Sequence, residues 1–444
     1  MKKIIISLLL ATMMISLAGC GSGSALSASD PVELTMWHVY GEQADSPMDD
    51  LVDEFNRTVG REKGISVRVT GMSSSARIGE LLLETQAGGK SSEMPDLFTS
   101  YLNDALALGE DNLVDWNDYF TEEQLDEFVP GYVEDGMADG KLFVFPFVKS
   151  TRVLMINGSA FDRFSAATGV TYDDLRTWDG FYAAAQKFYD WSGGEVFCCV
   201  DYPLPTVELE AMELGGDDYQ LFLDGGRYNY DDPYLKQSWM QFARALVNGY
   251  VQIADLYSNT QMMTGETLCG LGSSAAILYF NDTVYYPDGT SEPMDLHVLP
   301  MPEVEGGNKL MAQNGGGIAA YKTTDKKAAA AAVFVDWLTQ PERNMDFAAG
   351  AGYMPARKGA FDKIDIESYD FPNESYVSLY ESMRQMQESC TAVTQPYDEA
   401  YYERIDKFYA YLHASQSKLH SRAAAGEDTE ALAEETWDYL KSLG

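Results

Sequence analysis

Apolar and polar residues alternate where the folded part of the chain begins. Val32, Leu34 and Met36 face one way and Glu33 and Thr35 the other, the period of a half-buried strand. Ser46 and Pro47 suit an N-cap and a first helical position, and Met48, Leu51, Val52 and Phe55 follow at helical spacing. Ile65, Val67 and Val69 alternate again. Strand, helix, strand implies a parallel pair joined by a right-handed crossover. Ile78, Leu81 and Leu82 mark another helix, and Pro95 to Thr99 a third strand with Tyr101 just past its carboxyl end. Ligands of open α/β sheets gather outside that end, which makes Tyr40 and Tyr101 candidate cleft residues.

The same rhythm returns further on. Thr177-Trp178-Asp179 opens a helix carrying Phe181, Ala184, Ala185 and Phe188, and Trp178 is expected in the core. Glu195 to Val200 reads as a strand, with Tyr202 at its end as a further candidate. Pro233 starts a helix with Leu235, Trp239, Phe242 and Leu246 on one face. Leu296 to Pro302 is expected to return the chain to the first lobe, where Asn314 to Thr323 adds a strand. An Ala-rich helix follows, with Asp325 as its N-cap and Val333, Phe334, Trp337 and Leu338 as its apolar stripe. Pro341 breaks it, and a second helix runs from Glu342 to Ala349. Pro355 biases Met354 toward extended backbone, so Tyr353 lies on a turn. Leu432, Trp437 and Leu440 mark a packed C-terminal helix.

A chain of 444 residues exceeds one compact core, so two lobes are expected. The 69 acidic residues against 31 basic ones argue against nucleic acid as a partner, since its phosphates would be repelled. Lys2-Lys3, an uncharged run from Ile4 to Leu17 and then Leu17-Ala18-Gly19-Cys20 read as a lipoprotein signal peptide, residues 1–19, with Cys20 as the lipidated residue. Each buried CH2 contributes about 0.8 kcal/mol, so two acyl chains hold a protein on a membrane. Residues 20–30 are rich in Gly, Ser and Ala and read as a flexible tether. Cys198, Cys199, Cys269 and Cys390 include no C-x-x-C pair, and adjacent Cys198 and Cys199 would bridge each other only with strain.

The stretch from Asn314 to Arg357 resembles the C-terminal signature of extracellular solute-binding proteins of bacterial ABC importers, the large sugar-binding family 1 class. Its residues are Gly315-Gly316-Gly317, then Trp337-Leu338-Thr339-Gln340-Pro341-Glu342, then Gly352-Tyr353-Met354-Pro355. Leu113 to Tyr119, Asp139 to Pro146, Arg152 to Asn157 and Gly265 to Ser274 resemble further segments of the same family, although Ile156 stands where the family has Tyr. The resemblance implies an α/β, type II periplasmic-binding-protein-like fold: two discontinuous lobes joined by a hinge, with a ligand cleft between them. Residues 31–146 plus 297–338 form lobe 1 on this reading, and 147–296 plus 339–444 lobe 2. Within the class the nearest resemblance is to the glycerol-3-phosphate and glycerophosphodiester binders, whose ligand-holding positions fall on Ser150, Ser273, Gly316 and Tyr353. The basic residue of that group has no counterpart near Thr394-Gln395-Pro396-Tyr397, and a desolvated phosphate needs one, so a neutral saccharide is favoured.

The implied molecule is an extracytoplasmic, lipid-anchored monomer that captures a mono- or oligosaccharide and passes it to permease subunits, with no cofactor and no catalysis. The alternatives are a phosphate-ester binder of the same class, a secreted carbohydrate-active enzyme, and an adhesin that keeps only the fold. Chemistry for an enzyme is thin. No H-E-x-x-H or G-x-S-x-G occurs, and carboxylate pairs such as Asp217-Asp218 are expected by chance in so acidic a chain. His413 and His420 are expected on a solvated helix surface, and no metal site is expected.

Overall fold

A computed structural model describes residues 26–40, 47–90, 93–223, 226–254, 257–394 and 399–444. The leader, Cys20 and the Ser46 cap lie outside the described residues.

Two five-stranded sheets organise the chain, and both follow one plan. The first has the order Ile65–Gly71, Val32–His38, Leu97–Ser100, Gly317–Ala320, Val144–Phe145. Its first three strands are parallel, in the register Val32↔Ile65 and Met36↔Leu97, and its last two join antiparallel. The second has the order Val251–Ile253, Val196–Val200, Thr267–Ser273, Arg152–Asn157, Leu296–Pro300. Again three strands are parallel and the antiparallel ones complete the edge. The alternation at Val32, Leu34 and Met36 is borne out, with all three buried beneath helix Pro47–Arg57, which contributes Met48, Val52 and Phe55. Trp178 is core as expected, packed with Phe181 in the second lobe.

Four expectations are corrected. Strand Leu296–Pro300 does not return to the first lobe; it pairs along its whole length with Arg152–Asn157 in the second sheet, and the first sheet regains the chain only at Gly317. Helix Pro341–Ala351 was expected with the second lobe but packs on the first: Arg343 pairs with Glu54, and the Phe347 ring lies 4.9 Å from that of Tyr40. The end of the tether is not free. Leu26 packs on the first core, and Lys326 donates to the Asp30 carbonyl at 2.7 Å. Gly64, at φ 72°, leaves no room for a Cβ, which would stand 2.2 Å from the Ser27 oxygen. The Ala-rich helix starts one residue earlier than read, with Thr324 as cap accepting from the Lys327 amide.

His420 is also more than a surface residue. Its ring lodges over Gly249 and its Nδ1 lies 3.2 Å from the Val247 carbonyl. Cys198, Cys199, Cys269 and Cys390 are all free thiols.

Three ladders tie the lobes where the chain crosses. Val148–Lys149 pairs antiparallel with Met354–Pro355. Ser150 and Asn314 exchange both main-chain hydrogen bonds, at 2.9 and 3.0 Å. Leu310–Ala312 runs parallel to Thr391–Val393. Long helices Glu399–Ala424 and Thr429–Ser442 then close the second core.

Candidate ligand-binding site

The turn that carries Tyr353 is held from both sides. Helix Pro341–Ala351 ends where Gly352 takes a left-handed backbone, φ 68°. The Gly352 carbonyl accepts from Ser274 Oγ at 2.7 Å, and Ser274 Oγ accepts from the Thr151 amide at 3.2 Å. The ladder at Met354–Pro355 fixes the far side. Tyr353 is half-buried between these points, and burial pushes its hydroxyl up to about 12, with the Tyr101 and Tyr279 hydroxyls adding to the effect. Its ring meets Tyr40 edge-on at 6.0 Å. Tyr40 is itself buried against Phe147 and Phe347, so it is the wall behind Tyr353.

A second turn lies beside the first. Gly315 has φ 102°, a conformation that favours glycine. Lys149 Nζ donates to its carbonyl at 2.6 Å and is ion-paired with Asp135, both side chains being buried. Burial draws the Lys149 ammonium below its ordinary value, and Asp135 opposes this. A Cβ on Gly316 would stand 2.3 Å from the Ser100 oxygen, so the glycine permits close approach of the two strands. Tyr101 follows Ser100. Burial raises its hydroxyl, Asp135 and Asp104 add to this, and a hydrogen bond from the Gly315 backbone opposes it.

On the second lobe Tyr202 is exposed, its ring 5.7 Å from that of Tyr409 and its carbonyl accepting from Arg152 Nη2 at 3.0 Å. Ser273 Oγ accepts from the Ala275 amide at 3.3 Å, a capping bond at the head of a short helix. Ser150 is buried in the crossing and reaches Asn314. The structure thus gathers Tyr40, Tyr101, Ser150, Gly316 and Tyr353 around the crossing. It puts Tyr202 and Ser273 on the second lobe, at the ends of neighbouring strands Val196–Val200 and Thr267–Ser273.

Three tyrosines belong to this region that the sequence did not single out. Burial raises the hydroxyls of Tyr202, Tyr353 and Tyr402, and Tyr257 adds to the first, Tyr279 to the second and Tyr101 to the third. Tyr257, Tyr279 and Tyr402 are 56%, 62% and 46% exposed, far more than the core tyrosines. Lys149 and Arg152, two cations at the crossing, are buried. Lys149 holds Asp135 and Gly315, and Arg152 is buried behind Tyr202, lowered by burial and steadied by Asp201. Among the described residues no cluster of three His, Cys, Asp or Glu side chains could hold a metal ion. Two cavities lie off this row of tyrosines, one of about 240 Å3 beside Asn281 and Asn373 and a smaller one at the crossing.

Two α/β lobes of one plan, laced together by short crossing ladders, define the periplasmic-binding-protein-like class of solute receptors. The chain belongs to the bacterial extracellular solute-binding proteins, whose family model matches residues 50–373. It is 22% identical over 287 residues to an ABC transporter extracellular-binding protein of Pyrococcus horikoshii, a match covering 63% of each chain, so it spans just under two thirds of that relative's length. The fold is similar to the cyclic α-maltosyl-1,6-maltose binding protein of Arthrobacter globiformis, with a TM-score of 0.67 at 16% identity over 93% of this chain and 99% of that one. It is similar also to the sugar-binding protein MalE of Xanthomonas citri, TM-score 0.66 at 16% identity over 93% and 97%. The glycerophosphocholine complex of UgpB from Mycobacterium tuberculosis gives a TM-score of 0.63 at 14% identity over 93% and 98%.

Proposed function

We propose that the chain is the capture subunit of an ABC importer for a neutral carbohydrate. It is held as a monomer at the outer face of the cell membrane by lipid on Cys20, and it hands its solute to a pair of permease subunits. The two lobes are built on the two five-stranded sheets, with the crossings near Ser150, Asn314 and Met354 as the hinge. Hydroxyl and main-chain groups from both lobes bind the sugar's oxygens, and tyrosine faces cover its apolar side. The solute thereby favours the closed state by its difference in affinity for the two.

The observation that carries this reading is the pairing of exposed tyrosines with buried cations. Tyr202, Tyr257, Tyr279 and Tyr402 are exposed, and Tyr279 and Tyr402 stand near enough to Tyr353 and Tyr101 for their charges to be felt. A phosphate ester needs an accessible guanidinium or ammonium, and Lys149 and Arg152 are both buried, with Lys149 on the Gly315 carbonyl and Arg152 Nη2 on that of Tyr202. Sugar-binding relatives of the same fold support the choice.

Calorimetric titration with maltose, maltotriose, a cyclic tetrasaccharide and glycerophosphocholine tests it. Binding of a sugar at micromolar strength, about 8 kcal/mol, with no new product in the mixture is the expected result. Binding of glycerophosphocholine alone would overturn the carbohydrate assignment, and released sugar fragments would overturn capture.

A further inference from the structure

Helix Pro341–Ala351 carries a buried side chain that none of the foregoing uses. Asn344 is 0% exposed. Its Nδ2 donates to the Phe147 carbonyl at 2.7 Å. Its Oδ1 accepts from the Ala356 amide at 2.7 Å and from the Arg357 amide at 3.3 Å. The two main-chain partners at 2.7 Å have a definite relation to each other. In the crossing ladder Lys149 stands opposite Met354 and Val148 opposite Pro355, so Phe147 and Ala356 are the next two residues in register. The carboxamide stands between them and serves both.

Pro355 gives the reason. It brings no N–H to the ladder, and its carbonyl accepts from Gln387 Nε2 at 2.9 Å. One step further on, the two chains meet through Asn344 instead of through each other. A carboxamide holds the donor and acceptor of a peptide group in one plane, so it can replace a main-chain rung.

The same residue governs the wall behind Tyr353. The Phe147 ring lies 5.9 Å from that of Tyr40. Phe347, three residues beyond Asn344 on its helix, lies 4.9 Å from Tyr40 and 4.6 Å from Phe147. Tyr353 meets Tyr40 edge-on and sits on the turn between the end of this helix and the ladder. Asn344 thus ties the helix before the turn to the strand after it and to the crossing chain opposite. Phe147, Ala356 and Arg357 are all buried, so removing the carboxamide strands a carbonyl and two amides in the interior, a cost the chain relieves only by moving.

We propose that Asn344 is the positioning residue of the solute site: its carboxamide replaces one rung between the crossing and the strand after the Tyr353 turn, and so fixes where Tyr353 stands. Asn344 acts through Tyr353 and touches no solute itself. The proposal rests on the reading of Tyr353 as a solute contact.

Two measurements on the full chain test it. Hydrogen exchange without solute, read by mass spectrometry, compares residues 353–357 with helix Asp325–Leu338, which packs in the same core. In Asn344→Ala the protection of 353–357 should fall at least tenfold further than that of the helix. A residue that only adds to global stability would lower both alike, so an equal loss, or none, overturns the proposal. Should Asn344→Ala fail to fold, Asn344→Ser, which keeps a donor and an acceptor on a shorter stem, is judged by the same comparison at threefold. Calorimetric titration with maltotriose supplies the second measurement. Asn344→Ala should bind at least fivefold more weakly than the wild type, and Asn344→Ala with Tyr353→Ala no more than twofold more weakly than Tyr353→Ala alone. Losses that multiply in full would show Asn344 acting apart from Tyr353 and overturn the proposal. A wild type that binds none of the sugars named above counts against the capture reading alone, and the exchange comparison still decides the rung.

Discussion

Lys149 Nζ stands 2.6 Å from the carbonyl oxygen of Gly315 while its charge is met by Asp135. The ion pair is buried on both sides, yet it stands where the chain crosses between lobes and steadies a glycine turn with φ 102°. A buried pair of this kind is poor evidence for stability as such, because apolar replacements often match it. Breaking it is another matter. Lys149→Met leaves Asp135 buried and unpaired, and urea unfolding should show a loss of about 3–5 kcal/mol. Lys149→Met with Asp135→Leu should recover most of that stability and still bind solute more weakly, since the Gly315 carbonyl has lost its donor. Full recovery of binding in the double variant would reduce the pair to a structural element.

Tyr353 sits on a turn fixed at Gly352 by Ser274 and at Pro355 by Val148, with Tyr40 behind it. Tyr353→Ala should weaken carbohydrate binding at least tenfold, about 1.4 kcal/mol, with the fold intact. Circular dichroism and calorimetry together check this, and an unchanged dissociation constant removes Tyr353 from the site.

Gly316 makes a different demand. A methyl group there would stand 2.3 Å from the Ser100 oxygen and 2.6 Å from its carbonyl carbon, both main-chain atoms that cannot rotate away. Gly316→Ala should therefore cost about 1–3 kcal/mol of stability, the usual range for overpacking. The shift should appear in thermal unfolding before any solute is added.

His297 reports on acid. Its ring lies tilted by 40° against that of Tyr172 with centroids 4.5 Å apart, and burial holds its imidazole below the ordinary 6.5, opposed by Asp295 and Glu381. A depressed histidine means the unfolded chain binds the proton more readily. Its contribution is present above pH 6.5 and is lost as pH falls through the folded value. Between pH 7 and 5 the wild type should lose stability relative to His297→Phe, and a constant difference between them would show that His297 does not titrate in this way.

Much of this architecture was legible because each sheet is built from runs whose local pattern is unambiguous. Val32, Leu34 and Met36, or Phe181, Ala184, Ala185 and Phe188, admit one period each, and the structure buries them accordingly. Assignment between lobes was less legible. Leu296 to Pro300 alternates like any edge strand, and nothing in five residues says which sheet will accept them. The turn at Tyr353 could be read because Gly352 and Pro355 constrain the backbone on either side. The exposed tyrosines could not. Tyr401 and Tyr402 are adjacent and chemically identical, yet the first is buried with its hydroxyl on Glu208 and the second is open. Only the helix's rotation against the second core separates them.

The bond from Ser274 Oγ to the Gly352 carbonyl stands beside the crossing ladders that join the two halves. Under the closing motion proposed above, displacement grows with distance from such a pivot. Dyes attached near Ser274 would report little, whereas labels at outlying positions such as Arg68 and Trp191 would swing widest. An optical sensor made from this protein should carry its fluorophores there.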